Sequence, residues 1–129
     1  MLKLNKLHHI AIICSDYRKS IEFYTEVLGF TMLSEHYRAD RDSYKADLAL
    51  SGEYLIELFS FPNPPRRVTR PEATGLRHIA FQVDNINEAV CQLDKLGIPH
   101  ENIRLDEYTD KHFFFFQDPD GLPIEVYEK

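Results

Sequence analysis

Leu7-His8-His9-Ile10-Ala11-Ile12 returns 69 positions later as Leu76-Arg77-His78-Ile79-Ala80-Phe81. A second stretch repeats as well: Leu55-Ile56-Glu57-Leu58-Phe59 is echoed by Pro123-Ile124-Glu125-Val126-Tyr127. His9 stands 48 positions before Glu57, and His78 stands 47 before Glu125. Each stretch alternates large aliphatic residues with small or polar ones, the period of a strand with two unlike faces. The chain is therefore a duplication, and each copy carries one imidazole and one carboxylate at matching strand positions.

The repeat extends outward from these strands. Ser20–Phe30 reads as an amphipathic helix with apolar positions 21, 24, 27 and 28 on one face and a stop at Gly29. Asn87–Ile98 reads the same way, with apolar positions 86, 89, 90, 93 and 96 and a stop at Gly97. Asp16 and Asn85 are the expected N-caps. Strands are expected near 7–14, 31–38, 44–51 and 54–60, and again near 76–83, 99–105, 111–117 and 122–128. Turns at Leu50–Glu53 and Asp118–Gly121 separate the last two strands of each copy. Each copy thus reads strand, helix, strand, strand, strand, an α+β pattern. The intervening Phe61–Pro71 holds four of the seven prolines and reads as an extended linker, which Arg66, Arg67 and Arg70 keep soluble. The expected organisation is a single domain of 129 residues, with one module about 5–62, a linker about 63–74 and a second module about 75–129.

Composition narrows the function classes. A hydrophobic content of 43% supports a sizeable core, and no apolar run approaches a membrane span. The opening MLKLNKLHH lacks the features of a secretory signal, so a cytoplasmic location is expected. Cys14 and Cys91 make no disulfide framework and are expected as small buried hydrophobes. A net charge of −6 argues against nucleic acid as a partner.

Alternation places His9, Ala11 and Ile13 on one face of their strand, with Ile10 and Ile12 on the other. The same count puts His78 with Ala80, and sets Glu57 and Glu125 opposite their flanking aliphatics. A Glu inside an apolar strand is costly unless it is paired. Two at matching positions, each with a His, point to a divalent cation: imidazole and carboxylate suit Zn²⁺, Ni²⁺, Co²⁺, Mn²⁺ or Fe²⁺. The alternative for each pair is a His–Glu ion pair in a half-open sheet. His8 falls on the opposite face from His9, and His36, His100 and His112 have no repeat counterpart.

HHIAIICSDYRKSIEFYTEVLGF and the closing FFQDPDGLPIEVYE resemble the vicinal oxygen chelate superfamily of glyoxalases, bleomycin resistance proteins and dioxygenases. The resemblance covers essentially the whole chain. It implies paired βαβββ modules whose mixed sheet curls around a metal site, commonly in a homodimer. It implies His9, Glu57, His78 and Glu125 as ligands of one divalent ion, with Ni²⁺, Zn²⁺ or Co²⁺ ahead of Mn²⁺ or Fe²⁺. A His/Glu/His/Glu set is most similar to glyoxalase I. That implies a lyase or isomerase acting on a small substrate such as a hemithioacetal, by proton transfer through an enediolate, with Glu125 or Glu57 as base. The proline-arginine linker departs from bacterial glyoxalase I, and strands 32–38 and 44–50 do not reproduce its glutathione contacts. Arg38, Arg41, Lys45, Lys111 and Tyr127 are the candidates for substrate contact. Two other readings stand beside the glyoxalase one: a non-heme Fe²⁺ dioxygenase, and a non-catalytic module that binds a small molecule or metal.

Overall fold

The computed structural model describes residues 1–129. The first half contains β1 (Ile10–Cys14), α1 (Tyr17–Glu22), β2 (Thr31–Arg38), β3 (Ser43–Leu50) and β4 (Glu53–Ser60). The second contains β5 (Ile79–Val83), α2 (Ile86–Lys95), β6 (Arg104–Asp106), β7 (Lys111–Gln117) and β8 (Pro123–Glu128). The fold is mixed α+β with two βαβββ modules. Each module is a compact unit, Met1–Pro65 and Arg66–Lys129, with its own four-stranded open sheet. The strand orders are β1-β4-β3-β2 and β5-β8-β7-β6. In each sheet the first pair is parallel and the others are antiparallel. No helix is long and apolar enough to cross a membrane.

The alternation in the sequence decides which sheet face is buried. In the first module Ile12, Cys14, Ala46, Leu48, Ile56 and Leu58 pack with Phe23, Tyr24 and Phe30 from the helical segment and its exit. In the second, Ile79, Phe114, Phe116, Ile124 and Val126 form the core with Ile86 and Leu93 of α2. Register keeps the intervening residues together on the other face: Ala11 and Asp47 both stand opposite Glu57, and Ala80 and Phe115 both stand opposite Glu125.

Both helices start as expected. Asp16 accepts from the Lys19 N–H, and Asn85 accepts from the N–H groups of Asn87 and Glu88. The first helix then departs from a regular α-helix. Phe23–Val27 is a π-helical turn, in which the Leu28 N–H reaches the Phe23 carbonyl. The Thr25 hydroxyl donates to the Ile21 carbonyl within the same stretch. The buried side chains are Ser20, Phe23 and Tyr24, a face rotated from the expected 21, 24, 27 and 28. Gly29 and Gly97 take φ of +76° and +69°, the left-handed exits that the stop signals imply.

Two further expectations from the sequence are corrected. Cys14 is buried, but Cys91 is exposed, because α2 turns the Ile86 and Leu93 side inward and Cys91 lies off that side. Arg67 does more than solubilise the linker. Its guanidinium donates to the carbonyls of Leu76 and Arg77 and to the Thr69 hydroxyl. Thr69 in turn donates to the Gly121 carbonyl, which ties this segment to the second module.

Candidate metal centre

In the first module Glu57 sits mid-strand on β4, and His9 immediately precedes β1. His9 Nε2 lies 3.7 Å from Glu57 Oε1, and the Glu57 side chain is only 17% exposed. Lys45 of β3 reaches across, with Nζ 3.3 Å from Glu57 and 2.7 Å from Asp47. The Tyr54 hydroxyl is shared between Asp47 at 3.1 Å and Glu57 at 3.2 Å, and Ser34 donates to Asp47. Burial alone would raise the Asp47 carboxyl, but hydrogen bonds from Lys45, Ser34 and Tyr54 outweigh it and hold it below the usual carboxylate range. The bond to Asp47 is the main cause that raises the Lys45 ammonium above its ordinary value. Burial, reinforced by Asp47, raises the Tyr54 phenol. His8 stands next to His9 rather than away from it: the two Nδ1 atoms are 2.8 Å apart, and both rings pack against Tyr54. His8 lies outside the regular strand, where alternation stops governing direction.

In the second module His78 Nε2 lies 3.0 Å from Glu125 Oε2, whose side chain is 15% exposed. The surroundings differ from those of Glu57. Phe115 stands opposite Glu125 and meets the His78 ring edge-on at 5.1 Å. Tyr127 shares the Glu125 face, stacks on Phe113 and spends its hydroxyl on Asp106 and Thr109. The Tyr108 N–H and then the Tyr127 hydroxyl hold the Asp106 carboxyl below its usual range. Lys111 donates to the Lys129 carbonyl at the far end of the sheet.

Arg38 ends β2 on the Glu57 side of the first sheet, donates to the Ser43 hydroxyl and lies over Phe59. Arg41 is an exposed neighbour of Asp40. The other histidines have their own partners or meet solvent: His100 bonds Asp94 and the Glu101 carbonyl, His112 bonds Glu128, and His36 is exposed. A cleft of about 650 Å³, lined by Tyr17, Glu35, Tyr44 and Phe61 among others, opens in the first module. Its Glu35 and Tyr44 alternate with Ser34 and Lys45, so it lies on the sheet face away from His9 and Glu57.

Each module therefore presents one imidazole and one carboxylate facing each other, and neither gathers three potential ligands by itself. Imidazole and carboxylate are both donors that suit a borderline divalent ion. The reading from sequence missed Asp47, Tyr54 and Ser34. The Asp47 signal was present, a carboxylate in the otherwise apolar run Ala46–Leu50 one hairpin away from Glu57.

The fold and the paired sites have a family. The Glyoxalase/Bleomycin resistance protein/Dioxygenase superfamily matches residues 6–126, and the chain belongs to it. Members typically bind a divalent metal and commonly act as dimers on small molecules. The chain is 60% identical to the protein YaeR of Escherichia coli (strain K12) over 129 residues, covering all of both chains. It is 30% identical to the lactoylglutathione lyase of Escherichia coli O157:H7 over 135 residues, which is 96% of this chain and 93% of that one. The crystal structure of a glyoxalase family protein from Enterococcus faecalis superposes with a TM-score of 0.89 at 44% identity, covering 95% and 97% of the two chains.

Proposed function

We propose that the protein is a metal-dependent, glyoxalase I-like lyase or isomerase that moves a proton next to a carbonyl of a small substrate. The observation that carries this reading is the repeated imidazole–carboxylate pair, His9 with Glu57 and His78 with Glu125, at equivalent strand positions of two modules. These four residues would hold one divalent ion, Ni²⁺, Zn²⁺ or Co²⁺. When bound, the ion supplies Lewis-acid stabilisation of the negative charge that develops on the substrate oxygens.

The chain's own residues supply the rest. Glu57 is held by Lys45 and Tyr54, which suits a fixed ligand. Glu125 has an aromatic wall in Phe115 and an imidazole neighbour in His78, which suits a carboxylate that takes a proton from substrate carbon and returns it to the adjacent carbon. Positioned proton transfer is worth about 10²–10⁴ in rate. Phe115, directly opposite on β7, stands beside that carboxylate. Lys45, Lys111 and Tyr127 border the same sheet faces.

Elemental analysis of the purified full chain tests the ligand set, with about one divalent ion per chain expected and a sharp loss in His9→Ala and in His78→Ala. The hemithioacetal of methylglyoxal and glutathione is the first substrate to assay. Glu125→Gln should retain part of the metal and lose turnover by at least ~10²-fold. Full metal content in both His variants would refute the ligand set, and undiminished turnover in Glu125→Gln would refute the base.

A further inference from the structure

Each module lays an arginine over two aromatic rings on the sheet face that carries its glutamate. The Arg38 guanidinium lies 4.8 Å from the centre of the Phe59 ring and 5.7 Å from that of Phe61. Arg104 repeats this over Phe113 at 4.8 Å and Phe115 at 5.6 Å. The two differ in what neutralises them. Arg104 has a carboxylate, Glu101, 3.0 Å away. Arg38 has none: its bond to a side-chain oxygen is the one its Nη2 donates to the neutral Ser43 hydroxyl. Its Nε is buried with no hydrogen-bond partner.

That is an unfavourable way to store a cation. Arg38 is half-buried, and a buried guanidinium N–H without an acceptor is costly unless an anion or another acceptor meets it. The rings beneath Arg38 compensate partly through the cation–π attraction, and they fix its plane. Nearby positive charge is already spent. Lys45, which stands opposite both Phe59 and His36, is neutralised by Asp47 and Glu57. Arg38 is thus the cation of this face with no counter-charge, held flat by packing, with a planar fork suited to an oxyanion.

We propose that Arg38 is the specificity-determining residue of the site and that it binds an anionic group of the substrate, a carboxylate or a phosphate, remote from the reacting carbons. This rests on the reading of the Glu57 face as the substrate face. It narrows the substrate to an acid: a small vicinal-oxygen compound with a carboxylate or phosphate beyond the chelating oxygens. Arg104, already neutralised by Glu101, serves as the internal control.

Binding of inorganic phosphate and of acetate to the purified full chain, measured by calorimetry and by the Arg Nε–H resonances in NMR at constant ionic strength, tests this. Wild type and Arg104→Met should show saturable binding of at least one of the two anions, and the better ligand identifies the group. Arg38→Met, which keeps the packing on Phe59 and Phe61, should bind at least tenfold more weakly. Arg38→Lys, which keeps the charge and loses the fork, should fall between. Melting temperature and metal content are recorded on the same samples. If Arg38→Met is unfolded, the comparison passes to Arg38→Lys. Wild-type affinity in the folded Arg38 variant, or no saturable binding of either anion by wild type, would overturn the proposal. A failure of the metal-centre reading shows separately, as absent metal in wild type.

Discussion

Lys45→Met isolates the charge network around Glu57. Asp47 and Glu57 stand directly across from one another on β3 and β4, and Lys45 Nζ is 2.7 Å from the first and 3.3 Å from the second. Removing the ammonium leaves two facing carboxylates with Tyr54, Ser34 and the His9 imidazole beside them. Exposed ion pairs contribute about 0–1 kcal/mol, and breaking a buried pair costs about 3–5 kcal/mol. The Lys45 and Asp47 side chains are each 24% exposed, which sets the expected loss between those limits, at about 2 kcal/mol. For a chain of this size that lowers the melting temperature by about 7 °C. Thermal and urea unfolding of chelator-treated protein gives the number. The double variant Lys45→Met/Asp47→Asn should recover more than half of it, since the stranded charge goes with its partner. Divalent-metal affinity, read by competition with a chromophoric chelator, should move the other way and tighten about tenfold, because a cation no longer competes for Glu57. Unchanged melting temperature together with unchanged metal affinity would refute the account of Lys45 as the counter-ion of this face.

Two further outcomes are expected. Leu58→Ala removes a fully buried side chain directly behind Glu57, in register with Ile12 and Ala46. It should cost about 3 kcal/mol in urea unfolding, and a loss under about 1 kcal/mol would mean the first module's core closes differently. His100 has its pKa raised, first by the Glu101 carbonyl on Nδ1 and then by the Asp94 carboxylate on Nε2. A raised imidazole contributes stability that is fully present below its unfolded pKa and is lost as pH rises through the folded one. Wild type should therefore lose melting temperature relative to His100→Gln as pH rises above the ordinary imidazole value of about 6.5, and parallel curves would refute the assignment.

Much of the architecture was legible because strands of period two leave little freedom. Lys111–Gln117 and Thr31–Arg38 form strands at the expected positions, and Ile56, Leu58, Ile124 and Val126 are buried behind their glutamates as the alternation requires. Helix signals were legible at the capped starts, where Asp16 and Asn85 act through local hydrogen bonds. They failed on the buried face, where polar Ser20 is buried ahead of Phe23 and Tyr24 and the π-helical turn adds a change of pitch that a 3.6-residue count does not contain. His9 and His78 could be placed beside their glutamates from sequence, since duplication gives two independent readings of one geometry. Lys45, Asp47 and Tyr54 could not be joined into a network, because that needs the β3–β4 register, which a hairpin turn and a bulge between Leu48 and Ala49 decide. The difference between Arg38 and Arg104 was likewise hidden. Both arginines have a Glu three positions before them, but Glu35 lies within β2 on the face opposite Arg38 and accepts from Tyr17, whereas Glu101 precedes β6 and reaches Arg104.

All strand pairing is confined to one half of the chain or the other. The most distant partners in the first sheet, such as Ile10 and Ile56, are 46 positions apart, and no hydrogen-bonded ladder of that sheet waits for a residue beyond Ser60. On a ribosome, the amino-terminal half can therefore complete its sheet while the carboxy-terminal half is still being made. Its glutamate and histidine then meet before the residues of the second half exist, with Lys45 already balancing the carboxylates beside them.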